Sequence, residues 1–333
     1  MLSMRQNLLR YLQKPKILFN TGFGLVAGLG LSVCLAFVME RQRRSDRRFK
    51  NPGQASQLLN LPELGVIPSA QADPSPLKGL LERGRTHFLR LRPLGLQEGE
   101  HQDAITTANL GDRTSPIAES YRATIASLLF ANSSRAPSII VITSATQGEG
   151  KTTAVANLGL ALSELGRRVL LIDGDLRRPK LHKLFGIENK RGLGDLLDGG
   201  MHKAEASPES LITKTEVTNL SLITAGKKLA APLPLLFSSR LPEFLAQYRK
   251  QFDAILIDTP PVHLFSDARF LGRLSDGVVL VLRSNVNPPE VVLPVCRRLN
   301  EDGIPLLGTI LNDWKAGDVS YESYYYSQAD VVV

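Results

Sequence analysis

Short apolar runs and longer amphipathic stretches alternate along the chain from residue 138 onward. The apolar runs are brief, rich in β-branched residues and hydrophobic at consecutive positions, which is typical of strands buried on both faces. The six runs are Ser138–Thr143, Val169–Asp173, Leu220–Thr224, Ala254–Asp258, Gly277–Arg283 and Leu307–Asn312. Stretches with helical periodicity lie between them, for example Thr152–Leu165 and Pro288–Glu301. This alternation predicts an α/β fold in which helices cover both faces of a mostly parallel sheet. Ligands of such sheets bind at the carboxyl ends of the strands.

A segment of 23 residues without a charged side chain, Ile17–Met39, precedes this domain. About 20 apolar residues span a bilayer core as a helix, so the segment is predicted to be a transmembrane helix. A cleaved signal peptide is the alternative, but the segment is long for one and no small-residue cleavage site follows it before Arg41. The predicted organisation is an N-terminal stub (1–16), the transmembrane helix (17–39), a basic juxtamembrane segment and linker (40–114), a folded domain (115–313) and a tail (314–333).

Basic residues are concentrated near the N-terminus. Ten of the 40 Lys and Arg residues, but only two of the 32 acidic residues, lie within residues 1–50, so the rest of the chain is electrically balanced. Because a nucleic-acid-binding protein carries its basic surface on the folded domain, this distribution argues against nucleic acid and favours a membrane as partner. Six basic residues after the apolar segment against four before it favour a cytoplasmic C-terminal side. With only two cysteines, the chain has neither a disulfide framework nor a four-cysteine metal site.

The first strand leads into a glycine-rich loop with the sequence of a P-loop, and a helix follows it. Gly148 and Gly150 allow backbone N–H groups to converge on phosphate oxygens, and the helix adds the positive end of its dipole. Lys151 is predicted to reach the β- and γ-phosphates, and the Thr152 hydroxyl to bind Mg²⁺. The predicted nucleotide-binding residues of the loop are Gly148, Glu149, Gly150, Lys151, Thr152 and Thr153.

Acidic side chains end the second and the fourth strand. The second strand continues into Asp173-Gly174-Asp175-Leu176-Arg177, and the fourth ends in Asp258-Thr259-Pro260. Two carboxylates at alternate positions, followed by an arginine, fit a Mg²⁺ and phosphate site better than a helix cap. An apolar strand that ends in Asp is the Walker B arrangement, in which the carboxylate holds the metal through water. The sequence therefore predicts ATP and Mg²⁺ at the strand ends.

At these three motifs the chain resembles the bacterial tyrosine autokinases (BY-kinases) of capsule and exopolysaccharide synthesis. That family carries a Gly-Glu-Gly-Lys-Ser/Thr loop, an Asp-x-Asp-x-Arg motif and a Walker B strand ending Asp-x-Pro, which correspond here to Gly148–Thr152, Asp173–Arg177 and Asp258–Pro260. The resemblance runs from about residue 15 to the C-terminus. It implies an ATP-dependent protein-tyrosine kinase in residues 115–313, on the cytoplasmic side of the bacterial inner membrane. It also implies a role in polysaccharide polymerisation and export.

The resemblance assigns roles to matching residues. The catalytic set is Lys151, Asp173, Asp175 and Asp258, and the metal ligands are Thr152, Asp175 and Asp258. Asp173 would orient or deprotonate the incoming tyrosine hydroxyl. Arg177 would belong to the nucleotide site, and Asn312 matches an asparagine that contacts adenine. For Asn312, a strand-end turn residue is the alternative.

The C-terminal tail holds a tyrosine cluster, Tyr321, Tyr324, Tyr325 and Tyr326. Family members phosphorylate such a cluster on a neighbouring subunit, whereas the alternative is an aromatic patch packed on the core. The implied partners are further copies of the chain in a homo-oligomer, a tyrosine phosphatase, and a membrane activator or polysaccharide polymerase and export proteins.

The chain departs from the family in the helix that mediates oligomerisation, where the family carries Glu-x-x-Arg-x-x-Arg. Glu119 and Arg122 are present, but Ile125 stands where the second Arg is expected, which predicts the loss of an interface ion pair. The family's large external domain and first membrane helix have no counterpart in this sequence, so we expect either a split or truncated version of the family protein or a partner that supplies the missing half.

Two other functions fit parts of the sequence. A partitioning-type or Min-type ATPase would carry a second lysine early in the P-loop, where this chain has Thr146, and would lack the tyrosine tail. A non-catalytic subunit of a polysaccharide polymerase would use nucleotide only to order the domain. The presence of all charged catalytic positions argues against that second function.

Overall fold

The computed structural model describes residues 17–46, 48–70, 115–130, 137–198, 208–227, 229 and 231–315. They fall into two compact units, Met1–Arg48 and Phe49–Val333. The N-terminal stub, most of the linker and the tyrosine cluster lie outside the described residues.

In the first unit, the described residues form the helix α1 (Ile17–Asp46), of 30 residues. It covers the predicted segment and continues into the basic residues that follow. Its apolar side chains are exposed, including Phe23, Val26 and Phe37 at 70–71%. Among the described residues, however, no helix combines the length and the apolar character needed to cross a membrane. The structure thus supports a helix over Ile17–Met39 but not the predicted membrane crossing.

The second unit is an eight-stranded sheet covered by helices. Its strands are β1 (Glu63–Pro68), β2 (Ile139–Ser144), β3 (Val169–Asp173), β4 (Thr213–Lys214), β5 (Leu220–Ile223), β6 (Ala254–Asp258), β7 (Gly277–Arg283) and β8 (Leu306–Trp314). Its helices are α2 (Gln54–Leu59), α3 (Pro116–Phe130), α4 (Lys151–Glu164), α5 (Leu181–Leu184), α6 (Leu193–Asp198), α7 (Pro232–Leu236), α8 (Arg240–Tyr248), α9 (Asp267–Arg273) and α10 (Pro289–Glu301), with a 3₁₀ turn at Pro208–Leu211.

The sheet has the strand order β1-β8-β7-β2-β6-β3-β5-β4. Every neighbouring pair is parallel except β4 and β5. This confirms the predicted α/β fold with a mostly parallel sheet, and each of the six predicted strands is present. β1 lies within the segment predicted to be a linker, yet it pairs with β8 at the edge of the sheet.

Both faces of the central strands are buried, which explains their continuous hydrophobic sequence. Every residue of β2, β3 and β6 is buried. One apolar cluster combines α3 and α4 with one face of the sheet. The other combines α8, α9 and α10 with the opposite face. Because helices exclude water from both faces, polar side chains of the central strands come to the surface only at the strand ends.

The position that carries the second Arg of the oligomerisation motif faces the core in this chain. The Ile125 side chain is fully buried, in the cluster that also contains Tyr121 and Leu128. Arg122 donates to Glu119 at 2.8 Å and to Glu164 at 3.2 Å, so within the described residues its ion pairs are to its own chain. Residue 125, where the family motif carries an arginine, is therefore a core position in this chain.

Replacing Ile125 by Arg should destabilise the domain by at least ~3 kcal/mol, because the change buries an unpaired charge. Ala126→Arg is the matched control, since residue 126 is exposed on the same helix, and its effect should stay within about 0.5 kcal/mol. Chemical denaturation of both variants measures the difference. Equal stability of the two variants would show that residue 125 is not a core position.

Candidate active site

A glycine-lined loop connects β2 to α4 at the carboxyl edge of the sheet. Gly148 and Gly150 have φ values of +81° and +88°, in the left-handed region that side chains disfavour. Gly150 also caps the N-terminus of α4. A Cβ atom at Gly150 would lie 2.0 Å from Nδ2 of Asn312, whereas one at Gly148 would meet open space. Glycine at residue 150 is therefore required by both backbone conformation and packing.

Three aspartates and a lysine meet beside this loop. β3 and β6 are adjacent and parallel, and their final residues, Asp173 and Asp258, are paired in register. Both are completely buried. The Nζ atom of Lys151, in the first turn of α4, lies 3.4 Å from Oδ2 of Asp175. The structure thus brings together the four residues that the sequence predicted as the catalytic set.

Burial controls the charge of the two paired aspartates. The pKa of Asp258 is raised to about 6 by burial, although the charge of Lys151 acts to lower it. The pKa of Asp173 is raised well above its usual range by burial and by the charge of Asp258. Backbone N–H groups of Lys180 and Leu181 donate to Oδ2 of Asp173 at 3.1 and 3.0 Å and partly offset this rise.

The unpaired oxygens in this cluster fit a hard cation. Both carboxylate oxygens of Asp258 and Oδ1 of Asp173 are buried without a hydrogen-bond partner. Buried polar atoms normally have a partner, and Mg²⁺ prefers oxygen ligands. Within the described part of the chain, no three His, Cys, Asp or Glu side chains form a complete metal site. A cation here would therefore need further oxygens from Thr152, water and a phosphate.

Arg177 does not join the cluster. Its Nε and Nη2 atoms donate to Oδ2 and Oδ1 of buried Asp267 at 2.9 and 3.1 Å. Its guanidinium also lies 4.2 Å from the ring centre of Phe265. The arginine thus joins the loop after β3 to α9 through Nε and Nη2.

The side chains of Glu149 and Asn312 contact the P-loop itself. Glu149 is 1% exposed, and its Oε2 accepts the N–H of Thr146 at 2.6 Å. Nδ2 of Asn312 donates to the Glu149 carbonyl at 2.9 Å. Both were predicted to bind nucleotide. The Glu149 side chain is bonded within the protein, so only its backbone N–H could face a phosphate. The amide nitrogen of Asn312 is bonded to the loop. Gly148, Thr152 and Thr153 lie where the loop and the first turn of α4 were predicted.

Two further residues contact the loop from the β7 side, and of these the sequence analysis missed Asn287. Nη1 of Arg283 donates to the Gly148 carbonyl at 3.2 Å, and the Asn287 amide contacts the side chains of Thr146 and Glu149. Arg283 ends β7 and Asn287 follows it, and Arg283 is in register with Asn312 on β8. Their position at the end of a parallel strand was the signal available in the sequence. The tyrosine cluster, by contrast, lies outside the described residues.

The fold and this loop define an α/β protein of the P-loop NTPase type. A family profile described as an AAA domain matches residues 137–285. The chain is 34% identical over 207 residues to the tyrosine-protein kinase YwqD of Bacillus subtilis, an alignment that covers 62% of this chain and 85% of that protein. It is also 34% identical over 217 residues to the tyrosine-protein kinase wzc of Salmonella typhimurium, covering 65% of this chain and 30% of that longer protein.

A solved structure agrees with these relatives. The kinase domain of the Escherichia coli tyrosine kinase ETK superposes with a TM-score of 0.66 and 26% identity, covering 82% of this chain and 98% of that domain. The chain belongs to the family of bacterial tyrosine-protein kinases. It spans less than half the length of the longer relatives, such as wzc.

Replacing Asp258 by Asn should stabilise the metal-free domain at pH 8 by on the order of 1–3 kcal/mol, and about half as much at pH 5. The folded pKa of Asp258 is about 6, above the ordinary 3.8, so the contribution of its protonated carboxyl to folding is present below pH 3.8 and is lost as pH rises from 3.8 through 6. Denaturation at both pH values in the presence of a chelator measures the effect. A variant that is less stable than the unsubstituted chain at pH 8 would contradict it.

Proposed function

We propose that the chain is an ATP- and Mg²⁺-dependent protein-tyrosine autokinase that phosphorylates its C-terminal tyrosines between subunits. The observation that carries this proposal is that one lysine and three buried aspartates from the ends of two neighbouring strands meet beside a glycine-lined loop. They are Lys151, Asp173, Asp175 and Asp258. Phosphoryl transfer asks little covalent chemistry of a protein, so positioning and charge neutralisation by such groups supply most of the rate.

The P-loop and Lys151 would bind the β- and γ-phosphates. Asp175 lies close enough to orient the Lys151 ammonium before nucleotide arrives. Thr152, Asp175 and Asp258 would hold Mg²⁺, which when bound neutralises charge on the phosphates. The unpaired oxygens of Asp258 support this assignment, because a bound cation would satisfy them.

Asp173 would orient the tyrosine hydroxyl and accept its proton. Two backbone N–H groups at the start of α5 fix one of its oxygens, which leaves Oδ1 unpaired. A carboxyl whose pKa is raised by burial binds a proton more readily than an exposed one, and this suits a general base near neutral pH. The acceptors would be Tyr321, Tyr324, Tyr325 and Tyr326 of a neighbouring subunit in a homo-oligomer.

Mixing a variant that lacks the catalytic lysine with a variant that lacks the acceptor tyrosines tests both the activity and its direction. One chain carries Lys151→Ala with an intact tail, and the other carries Phe at all four tail tyrosines with Lys151 intact. Separately, neither should acquire tail phosphotyrosine with ATP and Mg²⁺. Mixed, the Lys151→Ala chain should become phosphorylated, which intact-mass spectrometry and peptide mapping detect.

Two results would contradict the proposal. If the unsubstituted chain hydrolyses ATP without any phosphotyrosine, the protein is an ATPase of another kind. If the unsubstituted chain is phosphorylated but the mixture is not, transfer occurs within one subunit.

We further propose that α1 attaches the chain to the bacterial inner membrane, with the kinase domain on the cytoplasmic side. The exposed apolar side chains of the helix and the basic residues after it support this attachment. Control of exopolysaccharide polymerisation and export, a dephosphorylating tyrosine phosphatase and a membrane activator are proposed on the family relationship. Anionic lipid would then be a direct partner of the basic segment.

Leu29→Asp should reduce flotation of the full chain with anionic vesicles more than tenfold, because an acidic side chain in the middle of an apolar helix costs about 3 kcal/mol. Leu58→Asp provides the matched control, since that leucine is 52% exposed in the second unit. Equal flotation of the two variants would remove α1 as the membrane attachment.

A further inference from the structure

A closed ring of hydrogen bonds lies behind the P-loop. Its members are the Thr146 and Glu149 residues of the loop and Asn287, which lies between β7 and α10. Glu149 and Asn287 are 1% and 7% exposed. Buried polar networks strengthen a structure when every group is satisfied and cost free energy when one is not. The conformation of the loop is thus linked by hydrogen bonds to Asn287, a residue outside the loop.

Each polar atom of the Asn287 side chain has a matching partner. Nδ2 donates to Oε1 of Glu149 at 2.5 Å and to Oγ1 of Thr146 at 2.9 Å. Oδ1 accepts the Thr146 hydroxyl at 3.3 Å. An amide is the group that offers two donors and an acceptor in this arrangement, whereas a carboxylate at residue 287 would offer only acceptors.

The ring fixes both ends of the phosphate-binding loop. The Glu149 carboxylate accepts the N–H of Thr146, three residues earlier, and so closes the loop on itself. Burial raises the pKa of Glu149, and the hydrogen bonds from Thr146 and Asn287 counteract that rise. On the outer side, Asn312 holds the Glu149 carbonyl. That carbonyl is therefore kept from turning toward a phosphate, which it would repel.

We propose that Asn287 is a positioning residue that holds the P-loop in its nucleotide-binding shape by satisfying the buried Glu149 carboxylate. The inference rests on the proposed kinase function for its substrate, a nucleoside triphosphate. Asn287 acts through the loop and does not itself contact nucleotide. A loop that is already ordered by Asn287 reduces the free energy needed to order it when nucleotide binds.

Exchanging the carboxylate and the amide between residues 149 and 287 tests the ring. Asn287→Asp sets two carboxylates against each other and should raise the dissociation constant for Mg²⁺·ATP at least about tenfold, because buried acceptors are left without donors. In the double variant Glu149→Gln with Asn287→Asp, the amide introduced at residue 149 accepts from Thr146 and donates to the carboxylate introduced at residue 287. The affinity of the double variant should return to within about threefold of the unsubstituted chain.

Isothermal titration of the full chain with Mg²⁺·ATP measures binding, and circular dichroism measures folding. Asn300→Asp is the matched control, because that asparagine is exposed on α10, the helix that follows Asn287, and its affinity should be unchanged. In autophosphorylation assays, Asn287→Asp should raise KM for ATP while kcat at saturating ATP stays within about twofold. If Asn287→Asp does not fold, Asn287→Ala, which removes the donors without adding charge, should show the same weakening.

Unchanged affinity in the single variants would overturn the proposal. So would weakening that the exchanged pair fails to reverse, since the two residues would then act independently. Binding is measured directly, so these results can be distinguished from a failure of the proposed function. A chain whose ATP affinity depends on the ring but that forms no phosphotyrosine would contradict only the kinase proposal.

Discussion

The site depends on two aspartates that are buried side by side without enough compensating charge. Parallel pairing of β3 and β6 sets Asp173 and Asp258 opposite each other, and helices on both faces keep water away from them. Placing carboxylates in such surroundings raises their pKa and destabilises the metal-free fold. Under the proposed function, a cation bound together with a nucleotide would relieve that cost, so the arrangement that weakens the metal-free domain would strengthen its binding of Mg²⁺·ATP.

The sheet topology explains why the other charged groups gather here. β2 lies between β6 and β7, so the P-loop that follows β2 is flanked by the Walker B aspartate on one side and by the β7 end on the other. β8 continues the row and contributes Asn312. On the acidic side the loop meets the groups proposed for chemistry. On the other side it meets amides and a guanidinium that bond to its backbone and to Glu149.

Elements of the fold and site could be predicted from the sequence where neighbouring residues alone carry the pattern. Continuous apolar runs predicted the six inner strands because both faces are covered, and aspartates directly after them predicted the acidic cluster. β1 was missed because Glu63–Pro68 lies in a proline-broken segment, and its pairing partner β8 is far along the chain. The two-residue strand β4 gives too short a pattern to recognise.

Contacts between side chains that are distant in sequence could not be predicted from such local patterns. Arg177 follows the acidic motif directly, but its ion pair is with Asp267, 90 residues later. Glu149 lies inside the P-loop motif, yet its side chain turns inward and accepts a hydrogen bond from Asn287, 138 residues later. For Ile125, the family motif suggested a lost interface charge, whereas in the structure the side chain lies in the core. In each case the three-dimensional neighbour, not the residue type, decides the role.

The central claim is that a buried carboxyl group holds a proton until the metal–nucleotide complex replaces it. Isothermal titration of the chain with magnesium-saturated ATP at pH 6, in two buffers of different ionisation enthalpy, counts the protons exchanged on binding. With an Asp258 pKa of about 6, the account predicts a release of about half a proton or more at pH 6. Binding that releases no proton at pH 6 would contradict it.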